Sequence, residues 1–244
     1  MTDIAVAYDV PGLDQAIALD QRLGAGPEYA KIGLELFTAA GPEVVRALRA
    51  RGRRVFLDLK LHDIPNTVRR AAAAAAALGA DLLTVHALGG APMVAAAVEG
   101  ARQSGDRTRV VGVTILTSFD SFSVPPGFSH PFHAGLVAAQ LAQLIEASGA
   151  HGIVCAARDL PFIRQYRGKD CFAVTPGIRP AGSAAHDQVR VSTVAEAVRL
   201  GSSLLVLGRA VTAAADPRAA LEAARTERDA ALAAVGASLV SPSA

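Results

Sequence analysis

Eight times along the chain a short apolar run is followed by a segment with helical spacing, and that alternation limits the fold more than any other feature. The apolar runs are IAVAY (4–8), YAKIG (29–33), VFLDL (55–59), DLLTVH (81–86), RVVGVTI (109–115), GIVCA (152–156), CFAVT (171–175) and SLLVLG (203–208). The helical segments lie near 12–23, 41–51, 65–78, 92–103, 134–148, 159–167, 193–200 and 217–234. Near-continuous apolar strands belong to a parallel sheet covered on both faces, because neither face meets water. Strict alternation then leaves an open doubly wound sheet or a closed barrel. Eight repeats in 244 residues favour the barrel. The expected fold is an α/β (β/α)8 TIM barrel, one domain over residues 1–244, with a frayed tail from about residue 236.

Composition narrows the function. A net charge of +2 and an aromatic content of 5% give neither the basic footprint nor the stacking platforms of a nucleic-acid binder. No basic segment precedes an apolar leader, and the alanine run 71–77 is far too short to cross a bilayer. A soluble, cytoplasmic protein is expected, with no nucleic-acid or membrane partner. Cys155 and Cys171 each sit in an apolar stretch and read as small buried hydrophobes rather than as a disulfide or a nucleophile.

Two connections are long, 118–132 and 176–192, and both follow strands, so both fall on the C-terminal face where barrels build their sites. Charges gather at the same strand ends. In the run FLDLKLHDIPNTV (56–68), Asp58 and Lys60 share a strand face, which at a barrel mouth points to the axis. Lys31 ends strand 2 and Asp9 follows strand 1, so Asp9, Lys31, Asp58, Lys60 and Asp63 form a rim of alternating sign. One such pair alone reads as a solvated salt bridge. Several strand ends supplying charges to one rim read as a site.

Across the rim, Thr175-Pro176-Gly177-Ile178-Arg179 follows strand 7 and Gly208-Arg209 follows the last strand, the places where barrels commonly bind phosphate. Arginine offers a planar fork to phosphate oxygens, and glycine lets backbone N–H groups approach. Gly177 and Gly208 taken singly could be turn residues, and Arg179 a surface charge. The six histidines have no metal-ligand spacing, so no metal site is expected. His86 ends strand 4 and either lines the mouth or packs there.

The segment DLKLHDIPNTV (58–68) resembles the signature of the orotidine 5'-phosphate decarboxylase family, in its shorter bacterial form. The resemblance extends to Ala7-Tyr8-Asp9, Lys31-Ile32-Gly33, GVTILTS (112–118), Thr175-Pro176-Gly177-Ile178-Arg179, DQVRV (187–191) and Leu207-Gly208-Arg209. It implies cofactor-free decarboxylation of orotidine 5'-phosphate to UMP in pyrimidine biosynthesis. Lys60 would protonate C6, Asp58 would lie against the substrate carboxylate, and Lys31 would hold Asp58 and a ribose hydroxyl. Asp9 would bind the ribose, and Thr117 would contact the pyrimidine with Pro176 nearby. Arg179, Gln188 and Arg209 would grip the phosphate, beside the backbone at Gly208, with the loop from Pro176 to Gln188 closing as a lid. Asp63 and Thr67 would reach the neighbouring site of a homodimer.

The chain departs from the family's pattern at Val194, Ser202 and Ser203, none of them a residue given a role, and its 118–132 loop is idiosyncratic. Two other readings stay open. D-x-K-x-x-D alone is shared with metal-dependent sugar-phosphate decarboxylases and synthases, and a barrel can bind a phosphorylated ligand without turnover.

Overall fold

The computed structural model describes residues 2–119, 124, 127–128, 131–167, 171–179 and 192–240. Eight parallel strands form the barrel: β1 (Asp3–Ala7), β2 (Tyr29–Ile32), β3 (Arg54–Leu61), β4 (Leu82–His86), β5 (Arg109–Val113), β6 (Gly152–Val154), β7 (Phe172–Arg179) and β9 (Leu204–Leu207). They run in sequence from β1 to β6, β6 pairs with β7, and β9 lies between β7 and β1, so the sheet closes. A two-residue strand, β8 (Ser192–Thr193), pairs with the end of β7. The expected barrel is the observed one.

Strand alternation divides the apolar side chains into two populations. Ala5, Ala7, Tyr29, Phe56, Leu82, Val111, Val113, Val154, Val174, Leu204 and Val206 form one cluster and fill the barrel. Their neighbours Ile4, Val6, Ala30, Ile32, Val55, Leu57, Leu83, Val85, Leu205 and Leu207 belong to the cluster beneath the helices. Both faces of each strand are therefore apolar, as a helix-covered parallel sheet requires.

The covering helices are α1 (Leu13–Leu23), α2 (Leu34–Ala40), α3 (Pro42–Ala50), α4 (Pro65–Ala77), α5 (Gly90–Arg102), α6 (Ala134–Ala147), α7 (Leu160–Arg167), α8 (Val194–Leu200), α9 (Arg209–Thr212) and α10 (Pro217–Val240). Helix α2 is absent from the sequence reading, which gave one helix after strand 2. Gly41, at φ 60°, ends α2 and turns the chain straight into α3, whose first residue is Pro42. Helix α10 runs to Val240, past the residue near 236 where the sequence suggests fraying.

Two strands break register with a neighbour. Leu57 pairs with Leu83 and Leu61 with Val85, so β3 carries two extra residues opposite Thr84 of β4. Thr175 pairs with Leu205 and Ile178 with Leu207, so β7 carries one extra residue against β9. Such bulges re-aim side chains and gather beside active sites.

The N-terminal end of the barrel is tied by buried ion pairs. Asp20 of α1, at 0% exposure, accepts hydrogen bonds from Arg51 Nε at 2.6 Å, Arg53 Nε at 2.6 Å and the Tyr8 hydroxyl at 2.9 Å. Burial alone would raise the Asp20 carboxyl, but these three donors and the Arg53 charge outweigh it and hold the group below its ordinary value. Burial, then the Asp20 charge and hydrogen bond, push the Tyr8 phenol far up. Asp81, just before β4, is similarly bridged by Arg49 and Arg107 and accepts the Val55 N–H.

Candidate active site

At the C-terminal mouth the inward-facing positions change from apolar to charged. Lys31 stands two residues beyond Tyr29, Asp58 two beyond Phe56 and Thr84 two beyond Leu82, so these polar side chains form the layer above the apolar filling. Lys31 and Asp58 border a cavity of ≈330 Å3, within the usual range for a ligand site. Its lining includes Asp9, Lys31, Asp58, Lys60, Thr117, Pro176, Gly177, Arg179, Gly208 and Arg209. These contribute four cations against two carboxylates, a balance suited to a polyanionic ligand.

Asp58 is the centre of the charged half. Lys60 Nζ donates to both its oxygens at 2.9 Å, Thr84 Oγ1 donates to Oδ1 at 2.9 Å, and Lys31 Nζ lies 3.6 Å from Oδ2. Lys31 also bonds Asp9 Oδ1 at 3.2 Å, so one buried ammonium joins the segment after β1 to β3. Burial would raise the Asp58 carboxyl; the Lys31 and Lys60 charges and the bonds from Lys60 and Thr84 outweigh it, and Asp58 stays ionised below its ordinary range.

The backbone here is unusual. Lys60 has φ 48°, the only non-glycine residue with positive φ among the described residues. That conformation costs roughly 1–3 kcal/mol for a side-chain-bearing residue and persists only where its surroundings enforce it. Asp58 and Lys60 do meet, but on a bulge with a left-handed residue rather than on a regular strand.

The opposite half is made by the bulge in β7. Gly177 has φ 76°, a conformation easy only for glycine. Val174 faces the barrel interior, and without an extra residue position 178 would face inward too. The bulge reverses the alternation: Ile178 joins the outer core, while still touching the cavity, and Arg179 lines the cavity. At Gly208 a Cβ atom would meet nothing within 4 Å, so the glycine leaves open space beside Arg209.

Other expected positions fall elsewhere. Asp63 and Thr67 are exposed and do not line this chain's cavity; Asp63 Oδ1 accepts the Ile64 N–H at 2.6 Å. Ile64 beside them is 66% exposed, a large apolar side chain left in solvent at the rim. His86 is not part of the lining. It stacks on His62 at 5.6 Å and accepts the Leu88 N–H, and burial, then the charges of His62 and Lys60, depress it to about 4. Gln188 and most of the 176–192 and 118–132 loops lie outside the described residues. Cys155 is buried, as expected, and also touches the cavity. Thr84 was not anticipated, because a threonine inside an apolar strand reads as a β-former; full burial of its hydroxyl is the signal that it needs partners.

The family model described as orotidine 5'-phosphate decarboxylase / HUMPS family matches residues 2–224. This chain belongs to that family. A relative named orotidine 5'-phosphate decarboxylase from Anaeromyxobacter sp. (strain K) is 49% identical over 221 residues, covering 90% of this chain and 95% of that protein. A protein of the same name from Nitrosococcus oceani is 45% identical over 225 residues, covering 92% and 96%. Among solved structures, the orotidine 5'-phosphate decarboxylase of Lactobacillus acidophilus superposes with a TM-score of 0.81 at 35% identity, covering 94% of this chain and 100% of that one. Membership of the decarboxylase family explains why the signature segment 58–68 coincides with the charged floor of the cavity.

Proposed function

We propose that this chain decarboxylates orotidine 5'-phosphate to UMP without a cofactor. The observation that carries the reading is the ionised, half-buried Asp58 held between Lys31 and Lys60 at the floor of a cavity whose far wall bears Arg179 and Arg209. The family and its similarly named relatives supply the substrate.

In this reading the substrate's phosphate lies toward Arg179, Arg209 and the open backbone at Gly208, with Gln188 as a further ligand. The pyrimidine lies over Lys60 near Thr117 and Pro176, and the ribose meets Asp9 and Lys31. The bond from C6 to the carboxylate breaks, carbon dioxide leaves, and the electron pair stays on C6, where no adjacent carbonyl delocalises it as an enolate. The Lys60 ammonium stabilises that charge and delivers the proton that completes UMP. Its position is fixed beforehand by both Asp58 oxygens, so no solvent has to reorganise. Asp58 lies against the substrate carboxylate, and its negative charge opposes the reactant more than the product. Phosphate binding remote from C6 supplies energy for closing the 176–188 loop and aligning the base.

The active unit in this reading is a homodimer. The solvent-facing Asp63 and Thr67 then reach into the neighbouring cavity, and Ile64 becomes buried between subunits.

The first test follows the ultraviolet spectrum of orotidine 5'-phosphate with the purified protein and excess EDTA, beside the Lys60→Ala variant. Conversion to UMP by the wild type and a severe loss in the variant are expected. No conversion by the wild type overturns the assignment; conversion only when magnesium is restored points to the metal-dependent relatives. For the dimer, sedimentation of the wild type and Ile64→Lys is decisive, with dissociation expected in the variant.

A further inference from the structure

We infer that Thr84 is a positioning residue for the catalytic pair, its hydroxyl setting both the backbone of Lys60 and the orientation of the Asp58 carboxylate. The inference rests on the decarboxylase reading for its kinetic consequences, but its geometric content stands alone.

Where β3 carries two extra residues, Asp58, Leu59 and Lys60 face a single residue of β4, Thr84. The Lys60 N–H lies inside that irregularity and bonds instead to Thr84 Oγ1 at 2.8 Å. A threonine hydroxyl has one proton to give. With one lone pair occupied by Lys60, that proton goes to Asp58 Oδ1 at 2.9 Å. One buried side chain thus closes a ring through the Lys60 backbone, the Lys60 ammonium and the Asp58 carboxylate. Its β-branch restricts the rotamer, which fixes the direction of both bonds. The positive φ of Lys60 needs something in the surroundings to enforce it, and the bond from its own N–H to a fully buried partner is the contact that does so.

Removing the hydroxyl leaves two separate deficits. The Lys60 N–H loses its acceptor, so the lysine is free to leave the left-handed conformation and its ammonium to wander. Asp58 loses one of the bonds favouring its charged form. The other groups facing Asp58 remain: Lys31 from β2, with Asp9 just after β1 behind it, and Lys60 from β3, with Arg179 and Arg209 across the cavity. The acid limb of the rate profile should therefore move to higher pH.

The test compares Thr84→Val, which keeps shape and removes the hydroxyl, with Thr84→Ser, which keeps the hydroxyl. The valine variant is expected to fold with a cooperative melt, to lose about 10- to 100-fold in kcat with a smaller change in KM, and to shift the acid limb upward. The serine variant should recover most of that loss. Wild-type kcat and an unmoved acid limb in the valine variant would overturn the inference; so would a serine variant as impaired as valine, which would assign the effect to the methyl group. If valine prevents folding, Thr84→Cys asks the same question with a poor hydrogen-bonding group of similar volume. Carbon-13 titration of the Asp58 carboxyl in ligand-free protein separates this inference from the functional reading, because an upward shift in the valine variant supports it whether or not orotidine 5'-phosphate is the substrate. An unchanged titration would refute it.

Discussion

The two ends of the barrel each hold a carboxylate between two cations, and they choose different cations. At the N-terminal end Asp20 is held by Arg51 and Arg53 with a tyrosine hydroxyl, packed to 0% exposure. At the C-terminal end Asp58 is held by Lys31 and Lys60 with a threonine hydroxyl, on the floor of the ≈330 Å3 cavity. Arginine's fork reaches several acceptors at once and does not release a proton; Arg53 also bonds the carbonyls of Gly24 and Ala25. Lysine is a point charge on a flexible stem that can give its proton away. The same motif is a clamp where the cations are arginines and, in the proposed function, a reaction centre where they are lysines.

That contrast can be broken most sharply at Lys60. Exchange for arginine keeps the charge and removes the proton donor, so kcat should fall by about 10³-fold or more, close to the alanine variant, with little change in the thermal midpoint. An arginine variant retaining a tenth of the activity would show that charge alone suffices. Asp20→Asn should do the reverse, costing on the order of 3 kcal/mol of stability in urea titration while kcat per folded molecule is kept. Loss of kcat in that variant would tie the two ends of the barrel together.

The stability deficit of Asp20→Asn also has a pH signature. A carboxyl held below its unfolded value stabilises the fold above about pH 4 and loses that contribution as pH falls through the folded value, so the two proteins should converge in acid. Arg53→Lys should cost less, on the order of 1 kcal/mol, because one ammonium replaces a fork with three acceptors.

The smallest effect concerns His86. Its imidazole is held neutral down to about 4 while the unfolded residue protonates near 6.5, so stability is fully present above 6.5 and declines as pH falls toward 4. Urea midpoints of His86→Asn should fall less than those of the wild type across that window. Parallel curves would remove His86 from the acid response.

The architecture was legible because each barrel strand is apolar on both faces and each repeat ends near polar residues. What escaped were features set by pairing between strands distant in sequence. Helix α2 hid behind β2 because seven residues, LELFTAA, carry too few turns to show a period. Asp9, Lys31, Asp58, Lys60, Arg179 and Arg209 were placed at one mouth from strand ends alone, and they do line one cavity. Thr84 could not be placed that way, since its role exists only where β4 faces a length mismatch in β3.

Those mismatches mean that the site is specified by chain length as well as by residue identity. Two surplus residues in β3 preserve the order of inward and outward positions, so Leu61 returns to the outer core as if nothing had been inserted. One surplus residue in β7 inverts that order, and the inversion is what delivers Arg179 to the mouth. Deleting Pro176 or Gly177 would leave Arg179 in the chain and still turn it away from the mouth. The residue count across two short intervals, 58–60 and 176–177, is thus as much a part of the site as the side chains it positions.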